Sequence, residues 1–259
     1  MEDVLLQDLE AGVLTIAFNR PEARNAWNAE LEEALRTALQ TADSSRDVRV
    51  IIITGAGRTF CPGPDPKALS SGNSFRKVES SDDDLAQRYS YMLSLRKPVI
   101  AAINGATAGV GFCITLYCDL RFISEKARIT TAFARRGLPA EHGSAWILPR
   151  LIGAMNAADL LLSGRVIDGR EAERLGYARC LSDDDFMASV RAFAADLALN
   201  CSPRSMMTIK RQLTSAWRET LAEATARSNL ETEAALASDD FREGIAHFVE
   251  RRSPKFPPI

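Results

Sequence analysis

The sequence predicts an α/β fold that ends in a helical region, and three observations carry this. Short apolar runs recur in the first half, at Val48 to Thr54, Val99 to Ile103 and Leu120 to Ser124, each suited to a strand covered on both faces. Segments with helical spacing alternate with these runs, which is the rhythm of a layered α/β protein. After Gly143 the pattern becomes helical.

Val13 to Phe18 reads as the first strand and ends at Asn19-Arg20-Pro21. From Asn28, a candidate N-cap, Leu31, Ala34, Leu35, Ala38 and Leu39 recur at helix spacing. The run 48–54 ends at Gly55-Ala56-Gly57. Residues 61–84 are rich in Pro, Gly, Ser and Asp and read as a long, mobile loop. Leu85 to Leu95 reads as helical, Val99 to Ile103 as a strand closed by Asn104-Gly105, and Gly109 to Tyr117 as a buried helix. Ser144 to Leu151 is helical, Asp168 with Glu171 resembles a capping box, and Gly176 is a helix stop. Ser202-Pro203 opens another helix. Leu221 to Ala237 and Phe241 to Val249 follow, and the tail RRSPKFPPI cannot continue a helix. An α/β core over 1–197 and a helical oligomerisation region over 198–259 are expected.

Composition narrows the function classes. The chain has 259 residues, 46% hydrophobic and 25% charged, ordinary values for a globular protein large enough to bury a full core. With 32 basic and 34 acidic residues the net charge is -2, and no polybasic segment stands out, which argues against nucleic-acid binding. The start, MEDVLLQDLE, places acids where a signal peptide needs bases, and no apolar run approaches a membrane span. Five scattered cysteines without a C-x-x-C pair, and only two histidines, do not suggest structural zinc. A soluble, cytoplasmic protein without metal is expected. Asp82-Asp83-Asp84 and Asp183-Asp184-Asp185 each precede a helical pattern and read as solvated charge at helix starts.

Two glycine-containing turns follow buried strands, Thr54 to Asp65 and Asn104 to Gly111. A strand–turn–helix junction points free backbone N–H groups outward, and the helix dipole adds positive potential, which suits an anion or a developing oxyanion. GxxxxGK[ST] is absent, and Gly105, Gly109 and Gly111 do not make GxGxxG, so a dinucleotide site is not supported. Taken alone, either turn reads better as a device for tight turns and close helix packing.

The segments NRPEARNAW (19–27), ITGAGRTFCPGPD (53–65), KPVIAAINGATAGVGFCITLYCDLRFIS (97–124), AFARRGLPAEHGSAWILPRLIG (132–153), LLLSGRVIDGREAERLGY (160–177) and SDDFREGIAHFVERRSPKF (238–256) resemble the crotonase (enoyl-CoA hydratase/isomerase) superfamily over nearly the whole chain. The resemblance implies a crotonase-like spiral of repeated ββα units with a helical C-terminal trimerisation region. It also implies a homotrimer or dimer of trimers and an acyl-CoA thioester substrate, with coenzyme A as part of the substrate and no separate cofactor. Two backbone N–H groups are implied to hold the thioester oxygen as an enolate forms. Their positions match Val110, after Gly109, and Pro64, after Gly63. Ala23, Arg24, Gly63 and Lys67 match positions along the coenzyme A entrance, and Asp65 matches the loop aspartate.

Three departures bear on activity. Proline has no backbone N–H, so one oxyanion donor is missing at Pro64. Val110 N–H then acts alone, or a shifted loop, a water or a side chain takes the second donor's place. The positions of the two hydratase glutamates match Cys113 and Phe133, which cannot activate a water as carboxylates do. Cys113 reads as a small core residue and Phe133 as the wall of an acyl pocket, with Trp146 as a further wall or core residue. Glu141 matches a position where some family isomerases and dehalogenases carry an active carboxylate. It is the expected proton carrier, with His142 as its neighbour. His247 reads as a surface or interface residue, and Phe248 and Lys255 as reaching a neighbouring subunit. The expected activity is proton transfer on an acyl-CoA thioester with enolate stabilisation, with an isomerase-like reaction favoured and hydration as a further option. The alternative is an impaired coenzyme A-binding or scaffolding protein.

Overall fold

The structure, a computed structural model, describes residues 3–65, 83 and 85–259. Lys67, Pro66, Asp82, Asp84 and most of the loop expected over 61–84 lie outside the described residues.

A six-stranded sheet forms the centre, in the order β1 (Leu5–Glu10), β2 (Val13–Phe18), β3 (Val50–Gly55), β5 (Val99–Ile103), β7 (Leu120–Ser124) and β10 (Arg179–Leu181). Only the β1–β2 pair is antiparallel. Successive side chains of a strand point to opposite faces, and both faces are apolar here. In β3, Ile51 and Ile53 face one core with Leu31, Leu35 and Leu39 of helix α1 (Ala29–Ser44). Val50 and Ile52 face the other, under Val190, Ala194 and Ala198 of a long helix, Phe186–Asn200. The uninterrupted run in β3 is therefore a strand buried twice. The expected cap Asn28 is in place, its side chain accepting from Leu31 N–H at 2.9 Å.

A second, four-stranded sheet was not anticipated from the sequence. Its order is β4 (Thr59–Cys61), β6 (Ala106–Ala108), β8 (Arg128–Thr130) and β9 (Ile167–Asp168). These strands are two or three residues long, too short for a periodic signal. Helix α2 (Val110–Leu116) leaves β6 through Gly109. Then come α3 (Ser144–Ile152), α4 (Ala154–Ser163) and α5 (Gly169–Arg174), the last capped by Asp168 accepting from Glu171 N–H at 2.9 Å.

The long sheet-covering helix is α6, and it is followed by α7 (Pro203–Ser215), α8 (Leu221–Leu236) and α9 (Asp239–Glu250). The boundary drawn at 197/198 falls inside α6. Lys210 anchors α7 to the core: its Nζ donates to Asp119 Oδ2 at 2.7 Å and to the Lys97 carbonyl at 3.0 Å.

The helix expected over 85–95 is corrected. Turns lead into a single 3-10 turn, Ser90–Ser94. The Arg88 carbonyl, which a helix would use internally, accepts from Arg36 Nη2 at 2.8 Å, and Gln87 N–H donates to Ser90 Oγ at 3.0 Å. Tertiary and side-chain partners captured the backbone groups that a helix needs.

Strand β4 and the start of α2 meet with almost no space for side chains. A Cβ built on Gly111 would lie 2.2 Å from the Cys61 carbonyl oxygen. Gly111→Ala should force the two turns apart and lower stability by about 1–3 kcal/mol, the usual range for overpacking, read as a drop in the urea midpoint at unchanged slope.

Candidate active site

The two turns singled out in the sequence come together at this contact. After β4 the chain turns through Gly63, at φ +109. A Cβ there would sit 3.4 Å from the Ala108 carbonyl. A Cβ on Gly109 would lie 3.8 Å from both Gly63 Cα and Pro64 Cδ. In proline, Cδ stands where another residue carries its amide hydrogen. The structure thus presents a methylene to the helix start at the position of the missing donor. Val110 opens α2, so its N–H belongs to the first turn, whose donors find no partner inside the helix.

The 19–27 segment braces this junction. Trp27 N–H donates to the Gly63 carbonyl, and Asp65 N–H to the Trp27 carbonyl, both at 2.8 Å. The Asp65 carboxylate pairs with Arg20 Nη2 at 2.9 Å, and Arg20 also holds the Ala26 carbonyl. Asp65 is therefore engaged as a brace. Ala23 ends a 3-10 turn beside it, half-buried, and Arg24 is exposed in a left-handed conformation at φ +55.

Glu141 lies on the loop before α3. Cys113, one turn into α2 from Val110, donates its thiol to the Glu141 carbonyl at 3.7 Å. Ser144 N–H donates to that carbonyl at 2.9 Å. Tyr117 Oη donates to the next carbonyl, His142, at 2.6 Å. The loop is thus tied to α2 by two side chains of that helix region, and the left-handed His142, at φ +50, accomplishes the turn. Burial raises the Glu141 carboxyl above its ordinary 4.5, and the Arg88 charge pulls it partly back. His142 is pushed down to about 4 by burial and then by Arg88, so it is neutral near pH 7. Burial, with Glu141 adding to it, pushes the Cys113 thiol far up, which removes it as a thiolate nucleophile. Phe133 is buried in the main core.

A cavity of about 650 Å³ adjoins this loop. His142, Gly143, Tyr89, Tyr117, Trp146 and Trp217 are among its walls. Trp146 packs edge-on to Trp217 at 5.2 Å, and Arg150 stacks over Trp146 at 3.9 Å. Trp146, expected as a wall or core residue, is on that wall, as are the two residues directly after Glu141; Glu141 itself, Val110, Phe133 and the other described site residues are not.

Sequence reasoning missed the charge pair beneath the site. Glu32, on the buried face of α1, accepts from Arg88 Nε on Oε1 at 2.7 Å and from Trp27 Nε1 on Oε2 at 3.2 Å, and Arg88 Nη2 also donates to Oε2. The signal was present: Glu32 shares the Leu35 and Leu39 stripe, where an unpaired acid is unstable. Tyr89 was also missed.

The family model described as enoyl-CoA hydratase/isomerase matches residues 8–258. The chain belongs to that family. It is 31% identical to an Escherichia coli protein named 1,2-epoxyphenylacetyl-CoA isomerase, over 99% of each chain. A Mycobacterium abscessus crystal structure titled a probable enoyl-CoA hydratase/isomerase superposes with a TM-score of 0.89 at 32% identity, covering 98% of this chain and 99% of that one. An enoyl-CoA hydratase from Polaromonas superposes at 0.87 with 27% identity, covering 97% and 99%. The crotonase fold is thereby established for this chain. Among the described residues no helix is long and apolar enough to cross a membrane.

Burial pushes the Glu32 carboxyl up, but the hydrogen bonds and charge of Arg88 outweigh it and hold it below 4.5. The pair's contribution is therefore complete above that value and fades as pH falls below it. Arg88→Met should destabilise by about 3–5 kcal/mol at pH 7, because a buried carboxylate loses its partner. Urea unfolding should show the gap to wild type narrowing below pH 4.5.

Proposed function

We propose that this chain acts on acyl-CoA thioesters as an isomerase-like proton-transfer enzyme, with Glu141 carrying the proton and Val110 N–H supporting the enolate oxygen. The observation that carries this reading is the attachment of the Glu141 loop to Cys113, one turn from Val110. It brings a single carboxyl-bearing loop to the helix start, while Cys113 and Phe133 leave the two hydratase positions without acids.

Removing a proton alpha to a thioester places negative charge on the carbonyl oxygen. A rigid donor stabilises that charge more than it stabilises the neutral ester. One carboxylate can take the proton from one carbon and return it to another, which is double-bond isomerisation. Hydration would ask Glu141 to hold and activate a water unaided. A raised carboxyl pKa suits a base that must also give its proton back.

Ala23, Arg24 and Lys67 border the coenzyme A entrance in this reading, and no metal or further cofactor enters. Asp65 and Gly63 shape the wall, with Pro64 and Gly109 behind them. The adjoining cavity takes the acyl group, and its Trp and Tyr walls favour a ring-bearing chain; the name of the E. coli relative points the same way. The exposed Leu221, Leu230, Ile245, Phe248 and Val249 of α8 and α9 are covered by copies of the chain in a trimer or dimer of trimers. Pro64 Cδ at the helix start favours one second reading, a coenzyme A-binding protein without turnover.

On a panel of enoyl-CoA and arylacyl-CoA esters, wild type should isomerise a member of the panel, the ring-bearing ones fastest. Glu141→Gln should cut turnover by about 10²–10⁴-fold. The base works ionised, so kcat/KM should rise with pH, with its lower inflection above 4.5, and the variant should lose that limb. Coenzyme A binding with no wild-type turnover on any ester establishes the second reading; unchanged turnover in Glu141→Gln removes the carboxylate from the chemistry.

A further inference from the structure

The Tyr89 side chain is only 2% exposed, yet its hydroxyl has no hydrogen-bond partner among the described residues. A buried hydroxyl left unpaired is destabilising, and native structures retain few of them. Its position is not incidental. The ring packs edge-on to Trp27 at 6.2 Å and to His142 at 5.0 Å. Trp27 is the residue whose backbone clasps Gly63 and Asp65, and His142 follows Glu141. Tyr89 therefore bridges the turn that lost its donor and the loop that carries the carboxylate. The same ring lines the 650 Å³ cavity. Burial keeps that hydroxyl protonated, with the Glu32 charge adding to the effect and Arg88 opposing it. It is thus a neutral donor at working pH.

We propose that the Tyr89 hydroxyl donates the second hydrogen bond to the thioester oxygen, in place of the N–H that Pro64 lacks. The inference rests on the acyl-CoA reading above and assigns Tyr89 a catalytic role in it. Tyr89 donates but keeps its proton; the bond strengthens as charge builds on the oxygen, alongside Val110 N–H. An oxygen arriving by way of the cavity that the ring already lines gives the hydroxyl the acceptor it lacks.

The test is a cycle of Tyr89→Phe and Pro64→Ala on the best ester of the panel. The readouts are kcat, KM and the carbonyl stretch of the bound thioester by difference Raman spectroscopy. Phenylalanine keeps the ring and its packing. Tyr89→Phe should lower kcat by about 10²-fold with KM within about threefold, and return the carbonyl stretch toward that of the free ester. Pro64→Ala restores an amide, so in the Tyr89→Phe background it should recover about tenfold or more. Unchanged kcat and stretch in Tyr89→Phe overturn the proposal. So does a loss that Pro64→Ala does not relieve with the stretch unmoved, the signature of a packing role. The Raman arm needs binding only. It stays decisive if Glu141→Gln shows that the proton-transfer reading fails.

Discussion

The close approach of two backbone turns is the constraint on which the site depends. Gly111 rides on the Cys61 carbonyl, and Gly63 and Gly109 face each other without side chains between them. Only glycine permits the distance at Gly111, and at Gly63 and Gly109 it is the positive φ that favours glycine. The contact fixes the start of α2 against the end of β4. Around that helix start lie its first N–H groups, the Cys113 thiol one turn on, and the Glu141 loop tied to that thiol.

Beneath the contact lies an unusual amount of buried polarity. Glu32, Arg88 and Trp27 form one connected set, and Arg88 acts electrostatically on Glu141, His142 and Cys113 as well. The set has a division of labour. The Arg88 guanidinium is matched by Glu32, so it needs no second anion, yet its charge still tempers the rise in the Glu141 carboxyl. Burial raises the Glu141 carboxyl, and a compensated cation nearby opposes that rise.

Much of this was legible in the residues. The twice-buried strands announced themselves as unbroken apolar runs, as at Ile51 to Ile53, and Asn28 and Asp168 cap the helices where their side chains suggested. The second sheet was not legible, because two- and three-residue strands such as Ile167–Asp168 carry no period, and their pairing is dictated by glycine turns far apart in sequence. The misread helix at 85–95 has a related cause: Arg36, over fifty residues away, holds the Arg88 carbonyl. That is also why Tyr89 went unnoticed. A tyrosine in an amphipathic helix is an ordinary wall residue; a tyrosine held on turns between Trp27 and His142 is not. The missing amide at Pro64, by contrast, was visible once the resemblance placed a donor at that position, since proline's lack of an N–H needs no structure to establish.

The three departures from the family pattern act in one direction when the chemistry is proton transfer. Hydration needs a held and polarised water, and acids at 113 and 133 would supply it; a thiol and a phenyl ring at those places do not. Proton movement between two carbons gains from the same losses. Fewer polar side chains and a proline ring at the turn lower the local polarity, and an electrostatic interaction grows as the effective dielectric falls. One main-chain donor at Val110, assisted by a neutral hydroxyl, then acts on the enolate oxygen in a drier setting than two donors flanked by carboxylates and water. The same dryness is what lifts the Glu141 carboxyl. On the proton-transfer reading, substitutions that count as losses for a hydratase are coupled adjustments of one site, each raising the effectiveness of the single base and donor that remain.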